Sequence, residues 1–239
     1  EVISLLAQVL QSAPRYRDTD PEEVFNAEQN AFVLRDAELY YRTMIGGGSA
    51  SWNIRDTHMA DTLERLMAFH GEGAKGIVWE HNTHVGDARA TDMARQGMVN
   101  IGQLARERHA ADDVVLIGFG THQGSVIAAE AWEAPMEVMV IPPAREGSWE
   151  DLIHRAGGGD RLFLLNEGAA PVEFLEMRGH RAVGVVYDPK FEAFTNYVPT
   201  MLPQRYDAFL FIDETEALHP LHLAPRPAHE VPETFPVGV

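Results

Sequence analysis

Apolar residues fall at helical spacing in the first third of the chain and in short unbroken runs thereafter. Val24, Ala27, Ala31, Leu34, Tyr41 and Ile45 recur on one face of a helix. Asp20-Pro21-Glu22-Glu23 marks its start: a carboxylate to accept from orphan N–H groups, a proline suited to the first turn, and acids at the positive helix end. Gly46-Gly47-Gly48 ends it near Ile45. A second helix is predicted from an N-cap at Asn53, with Asp56 at the third position and Met59, Leu63, Leu66 and Met67 as its apolar face. Residues 1–10 have the pattern of a helix tail that leads into Ser12-Ala13-Pro14.

From residue 75 the texture changes to short apolar runs between loops and helices. Gly76–Trp79, Val114–Phe119, Val126–Ala129, Glu137–Ile141, Leu162–Leu165, Ala182–Tyr187 and Ala208–Ile212 are predicted strands. Asn100 with Gln103 makes a capping pair that opens a helix to about Arg108, and Ser148-Trp149-Glu150-Asp151 starts another. Strand, helix, strand at this spacing requires a crossover and parallel pairing. The predicted fold is α/β, with a mostly parallel central sheet flanked by helices. Residues 1–72 form a helical cap region, 73–216 the sheet domain, and 217–239 a Pro- and His-rich tail.

Composition narrows the function. At 239 residues, with 45% apolar and 23% charged positions, the chain has the make-up of a soluble globular protein. A net charge of −17 repels phosphate backbones and anionic bilayers, so neither nucleic acid nor membrane is expected as a partner. The absence of cysteine excludes disulfides, thiolate nucleophiles and zinc–thiolate sites. It suits several compartments, of which the cytoplasm is the working expectation. The chain opens at Glu1 inside a helical pattern, with no initiator methionine and no signal-peptide pattern. The N-terminal part of a longer protein is therefore expected to precede it.

Candidate chemistry centres on Glu80-His81-Asn82-Thr83-His84, which follows the apolar run Gly76-Ile77-Val78-Trp79. Open α/β sheets keep their chemistry in loops at the carboxyl ends of strands. His81, His84 and Asp87 are three residues apart, a spacing compatible with metal ligation on one side of a helical turn. The same imidazoles can instead hold water and relay a proton without a metal, or one can be an ordinary hydrogen-bonded loop residue. Gly118-Phe119-Gly120-Thr121-His122-Gln123-Gly124 follows the next predicted strand. Its Thr121 and His122 are candidates for binding a substrate carbonyl or alcohol, unless the segment is a plain tight turn. Asp56 is accounted for by helix capping. Arg55 beside it is a cation near a helix N-terminus, where a partner such as a buried carboxylate or a developing oxyanion would offset the repulsion. The Gly-x-Ser-x-Gly and Walker A patterns are missing.

Together these stretches resemble the erythromycin esterase family. The resemblance rests on Ser51-Trp52-Asn53-Ile54-Arg55-Asp56-x-His58-Met59-Ala60, on Val78 through Asp87, and on Asn100-Ile101-Gly102-Gln103-Leu104. It continues through Gly118–His122 to Ala128-Ala129, then Tyr197-Val198-Pro199 and Arg205-Tyr206-Asp207-Ala208-Phe209. The resemblance implies an erythromycin-esterase-like fold and hydrolysis of a small-molecule ester or lactone, without metal or cofactor. Opening of a macrolide ring, and hence antibiotic inactivation, is the typical reaction. His81 and His84 match the family's second histidine pair, and Arg55 matches its motif arginine. Glu80 is then expected to fix a histidine tautomer, and Asn82, Thr121 and His122 to contact substrate. The family's general base is a histidine in an N-terminal Gly-Glu-x-x-His-Gly motif that this sequence lacks, which implies a C-terminal portion with little activity alone. A metal-dependent hydrolase built on His81, His84 and Asp87, and a non-catalytic binding module, are the alternatives.

Overall fold

A computed structural model describes residues 20–165 and 172–219. The helix tail expected at 1–10 and most of the tail from 220 lie outside the described residues. Contacts divide the chain into two compact units: Glu1–Gly118 with Leu164–Met177 and Thr200–Ala208, and Phe119–Phe163 with Arg178–Pro199 and Phe209–Val239.

The first unit is mainly helical. Helix α1 (Pro21–Met44) starts as predicted, with the Asp20 carboxylate accepting from the Glu22 N–H. Helix α2 (Ala50–His70) packs along it, with Phe25 stacked on Phe69 and Arg65 donating to Gln29. Ala31 is the only buried residue of α1; Leu34 and Ile45, expected on its core face, are exposed. Helix α2 begins three residues before the predicted cap, because the Asn53 carboxamide is committed elsewhere. It donates to Gly97 O and accepts from the Val99 N–H, tying the helix to a loop more than forty residues away. After a short turn, α3 (Asn82–Val85), comes α4 (Ile101–Arg108), which has the cap and the end that the sequence predicts.

The run Gly76–Trp79 joins no ladder among the described residues, and Ile77 and Trp79 are 94% and 82% exposed. It is not the buried strand expected from its composition: four apolar residues read the same whether or not a neighbouring strand pairs with them.

The second unit is built on strands. The sheet order is β2-β1-β6-β3, with β1 at Ile117–Ala128, β2 at Glu137–Ile141, β3 at Arg161–Leu164 and β6 at Ala208–Thr215. A further pair joins β4 (Arg178–Arg181) to β5 (Tyr197–Thr200). The mixed α/β class stands as predicted, but β1 and β2 are antiparallel, with Gly124 opposite Ile141 and Ala128 opposite Glu137. Two predicted strands, 114–119 and 126–129, prove to be the ends of the single strand β1. The glycine-rich segment between them is therefore strand and not loop. Its glycines serve close approach: a Cβ on Gly120 would lie 2.5 Å from the Phe209 ring, and one on Gly124 would lie 2.0 Å from Thr215 O. Over 182–187 only an isolated bridge forms, Val186 to Ala129. Ala128, Met139 and Tyr187 form the apolar cluster beneath. Helix α5 (Trp149–Arg155) starts at Ser148 as predicted, and its buried Glu150 pairs with His180.

Among the described residues, no helix is long and apolar enough to cross a membrane.

Gly124 combines a backbone contact that cannot yield with a φ of +133°. Gly124→Ala should lower stability by about 1–3 kcal/mol or more through overpacking and strain, read as a reduced midpoint in urea denaturation.

Candidate functional site

The His84 imidazole is positioned by three separate stretches of the first unit. Its own turn, α3, is capped by His81, whose Nδ1 accepts from the Thr83 N–H at 3.3 Å. The Thr83 hydroxyl 2.9 Å from that nitrogen must then donate as well, which puts the proton of neutral His81 on Nε2. Asn100 secures the turn. Its Nδ2 donates to Thr83 O at 2.7 Å and to Gly86 O, while Oδ1 caps α4 at Gln103 N and accepts from Ala88 N. Helix α4 approaches so closely that a Cβ on Gly102 would lie 2.2 Å from Val85 O.

Asp56 faces this turn from α2. The carboxylate has no solvent exposure and accepts from His84 Nδ1 at 2.9 and 3.1 Å. It also accepts from Ile101 N, one of the orphan donors at the start of α4. With Nδ1–H directed at Asp56, neutral His84 presents Nε2 as a lone pair. Among the described residues that nitrogen makes no hydrogen bond. Trp52 stacks on the imidazole, with centroids 4.6 Å apart and planes 6° from parallel, and is itself fixed by Nε1 donating to Val99 O. On another side of Trp52 lies the Arg55 guanidinium, 4.9 Å from the ring centroid. It makes no hydrogen bond or ion pair among the described residues.

Glu80 completes the cluster differently from expectation. Asp56, not Glu80, sets the His84 tautomer. Glu80 Oε2 is buried and has no hydrogen-bond partner among the described residues. Burial raises its pKa above the usual carboxylate range; His84 and Arg55 oppose that rise, and the Asp56 charge adds to it. Asn82 contributes its backbone carbonyl, which accepts from the buried Arg205 at 3.0 Å.

Two expectations are corrected here. Asp87 does not join His81 and His84 as a third metal ligand. Arg89 grips both of its oxygens at 3.0 and 2.7 Å, and Arg106 adds a contact at 3.2 Å. Burial pushes the Asp87 carboxyl up, but the Arg89 and Arg106 hydrogen bonds outweigh it and hold the group below the usual range. No cluster of three candidate ligands exists among the described residues. Thr121 and His122 lie within strand β1 of the second unit, not in a loop. There Arg181 binds both of their carbonyls, at 2.9 and 2.7 Å. His122 stacks on His154 at 3.6 Å, and His154 in turn bonds Asp213. The residues that sequence reasoning passed over are Trp52, Asp56 and Asn100. All three stand inside the motif stretches, but each has a sufficient local reading as a core residue or a cap.

A carboxylate-oriented histidine, an adjacent uncommitted arginine and an aromatic wall form a site suited to general acid–base chemistry on a mixed α/β scaffold. The comparisons with known proteins agree with the stretches that suggested a family. The erythromycin esterase family model matches residues 1–215, and the chain belongs to that family. Solved structures that share the fold include a Bacillus cereus protein, at TM-score 0.73 and 15% identity over 90% of this chain and 51% of its own. A succinoglycan biosynthesis protein matches at TM-score 0.64 and 19% identity, over 90% and 50% respectively. A histidine-to-asparagine variant of the erythromycin esterase EreC, in its open conformation, matches at TM-score 0.58 and 20% identity, over 89% and 51%. The chain thus spans about half the length of each of these structures.

The raised Glu80 pKa has a sign. A carboxyl that binds its proton more tightly when folded opposes folding above its folded pKa, and this opposition vanishes below the unfolded value of about 4.3. Glu80→Gln should therefore raise the thermal midpoint at pH 8 and give no gain at pH 4, as measured by unfolding scans across that range.

Proposed function

We propose that the protein hydrolyses carboxylic esters or lactones by direct attack of water, without a metal, and that a macrolide lactone is the substrate. The observation that carries this reading is the His84 lone pair, held in place by a buried carboxylate beside a guanidinium that makes no ion pair among the described residues. Family membership and the fold shared with the erythromycin esterase EreC support the ester and the macrolide.

In this reading a water molecule donates a hydrogen bond to His84 Nε2. As its oxygen bonds to the carbonyl carbon, the proton passes to the imidazole and the carbonyl π pair moves onto oxygen. Asp56 stabilises the resulting imidazolium across the Nδ1–H bond, and Arg55 stabilises the oxyanion. Collapse breaks the C–O bond, and the alkoxide takes the proton back from His84. The products are one carboxylic acid and one alcohol, joined in a single chain when the substrate is a lactone. The resemblance also implies a histidine in a Gly-Glu-x-x-His-Gly motif; where such a group takes the first proton, His84 orients the water and relays the second. Either way His84 and Asp56 act as one unit. Inactivation of a macrolide by this route would confer resistance on the cell.

The test is erythromycin turnover by the native protein, followed as the mass gain of one water. His84→Ala should reduce kcat by about 10²–10⁴, and Arg55→Ala by about 10²–10³ with a smaller change in KM. Asp56→Asn should resemble His84→Ala, since it leaves the imidazole in the wrong tautomer. Unchanged hydrolysis in His84→Ala would remove the assignment. Activity lost to a chelator and restored by a divalent cation would favour the metal-dependent reading. A thermal shift with erythromycin but no turnover would identify a binding module.

A further inference from the structure

One turn of α2 supplies three of the groups that surround His84. Trp52, Arg55 and Asp56 are spaced three and four residues from the first, so they share a face of the helix. Asp56 meets the edge of the imidazole at Nδ1, and Trp52 meets its face, with centroids 4.6 Å apart and planes 6° from parallel. The Arg55 guanidinium carbon lies 4.9 Å from the centroid of the same indole. The ring is fixed in place. It is 7% exposed, it packs on Ala88 and Met93, and its Nε1 donates to Val99 O at 2.7 Å.

Burial by itself asks only for an apolar side chain in this slot. An indole adds an electron-rich face, which attracts a cation lying on it more strongly than any other side chain does. That difference bears on His84, because general-base chemistry leaves its imidazole neutral before water attacks and positive afterwards. The guanidinium is charged throughout. Contact with one ring keeps the two groups within about 10 Å, a distance over which salt screens them only in part. The imidazolium therefore forms against the repulsion of Arg55. Two carboxylates act the other way: Asp56 through Nδ1, and Glu80, whose carboxyl responds to both His84 and Arg55. His81, on the same turn as His84, is engaged with Thr83. A ring already held by packing and a hydrogen bond offsets the remaining repulsion without rearranging.

We propose that Trp52 is a positioning residue for the reaction: its π face stabilises the imidazolium formed when the attacking water passes its proton to His84 Nε2, while the same ring holds the Arg55 guanidinium beside it. The proposal rests on the hydrolase reading for that proton transfer and deepens it by giving the indole a part in it. Trp52 acts through His84 and Arg55 and not on the ester.

The experiment is a proton titration of His84 in the resting protein, read from imidazole resonances assigned by their absence in His84→Gln. The four tryptophans of the chain are replaced biosynthetically by mono-, di- and trifluorotryptophan, which draw density from the ring face and leave its shape nearly unchanged. The His84 midpoint should fall with each added fluorine, by about 0.4–0.7 pH unit across the series, a loss of about two- to fivefold in proton affinity. Trp52→Leu should show the full fall and Trp52→Phe a smaller one, since a benzene face attracts a cation less. In ester turnover kcat should decline in the same order, with KM nearly constant. A midpoint that stays put across the fluorinated series would overturn the proposal, whether or not the leucine variant folds, because a purely structural tryptophan responds to loss of bulk and not to fluorine. The titration needs no turnover. A midpoint that follows the ring in a protein that hydrolyses no ester would sink the hydrolase reading and leave the stabilised imidazolium standing; hydrolysis with an unmoved midpoint would do the reverse.

Discussion

Asn100 has no solvent exposure, and its carboxamide ties two pieces of backbone to one point. Its oxygen caps the first turn of α4, and its nitrogen draws in the carbonyls of Thr83 and Gly86, which bracket His84. The start of α4 also supplies the Ile101 N–H that binds Asp56. One amide therefore fixes the distance between the turn that carries the imidazole and the helix end that steadies its carboxylate. Glycine at 102 and at 86 permits this closeness, since a Cβ at either position would collide with Val85 or with Arg205 and Tyr206. A buried polar group left without its partners costs about 1–3 kcal/mol, so a cluster of this kind holds as a whole or loosens as a whole.

The buried charges of the two units contrast in how far they are matched. In the second unit, Arg181 binds Glu192, Tyr197 and the carbonyls of Thr121, His122 and Pro142, so its guanidinium is a structural tie. Glu150 there is pushed up by burial but held below the usual range by His180 and the Arg181 N–H. Around His84 the balance is deliberately incomplete. Asp56 is fully engaged, whereas among the described residues Glu80 Oε2 has no donor and Arg55 makes no ion pair. Folding alone gains nothing from such groups. In the proposed mechanism a developing oxyanion would complete Arg55.

The sequence by itself determined the features that rest on near neighbours. Asp20, Asn100 and Ser148 cap the helices predicted for them, because a cap satisfies N–H groups two or three residues away whatever the rest of the chain does. The motif stretches likewise pointed to the family. Tertiary structure alone decided the pairings. Gly76–Trp79 is apolar enough for a buried strand, yet strandhood needs a neighbouring strand, and among the described residues that run joins no ladder. Residues 114–129 hold one strand where two were expected, since glycines that read locally as a turn are set there by the Phe209 ring and the Thr215 backbone. Asp56 looked like a capping residue until α2 began earlier and a histidine twenty-eight positions away claimed its carboxylate. Local propensity acts over a few residues, whereas burial and hydrogen-bond completion act between segments far apart in the chain. The site belongs to the second kind.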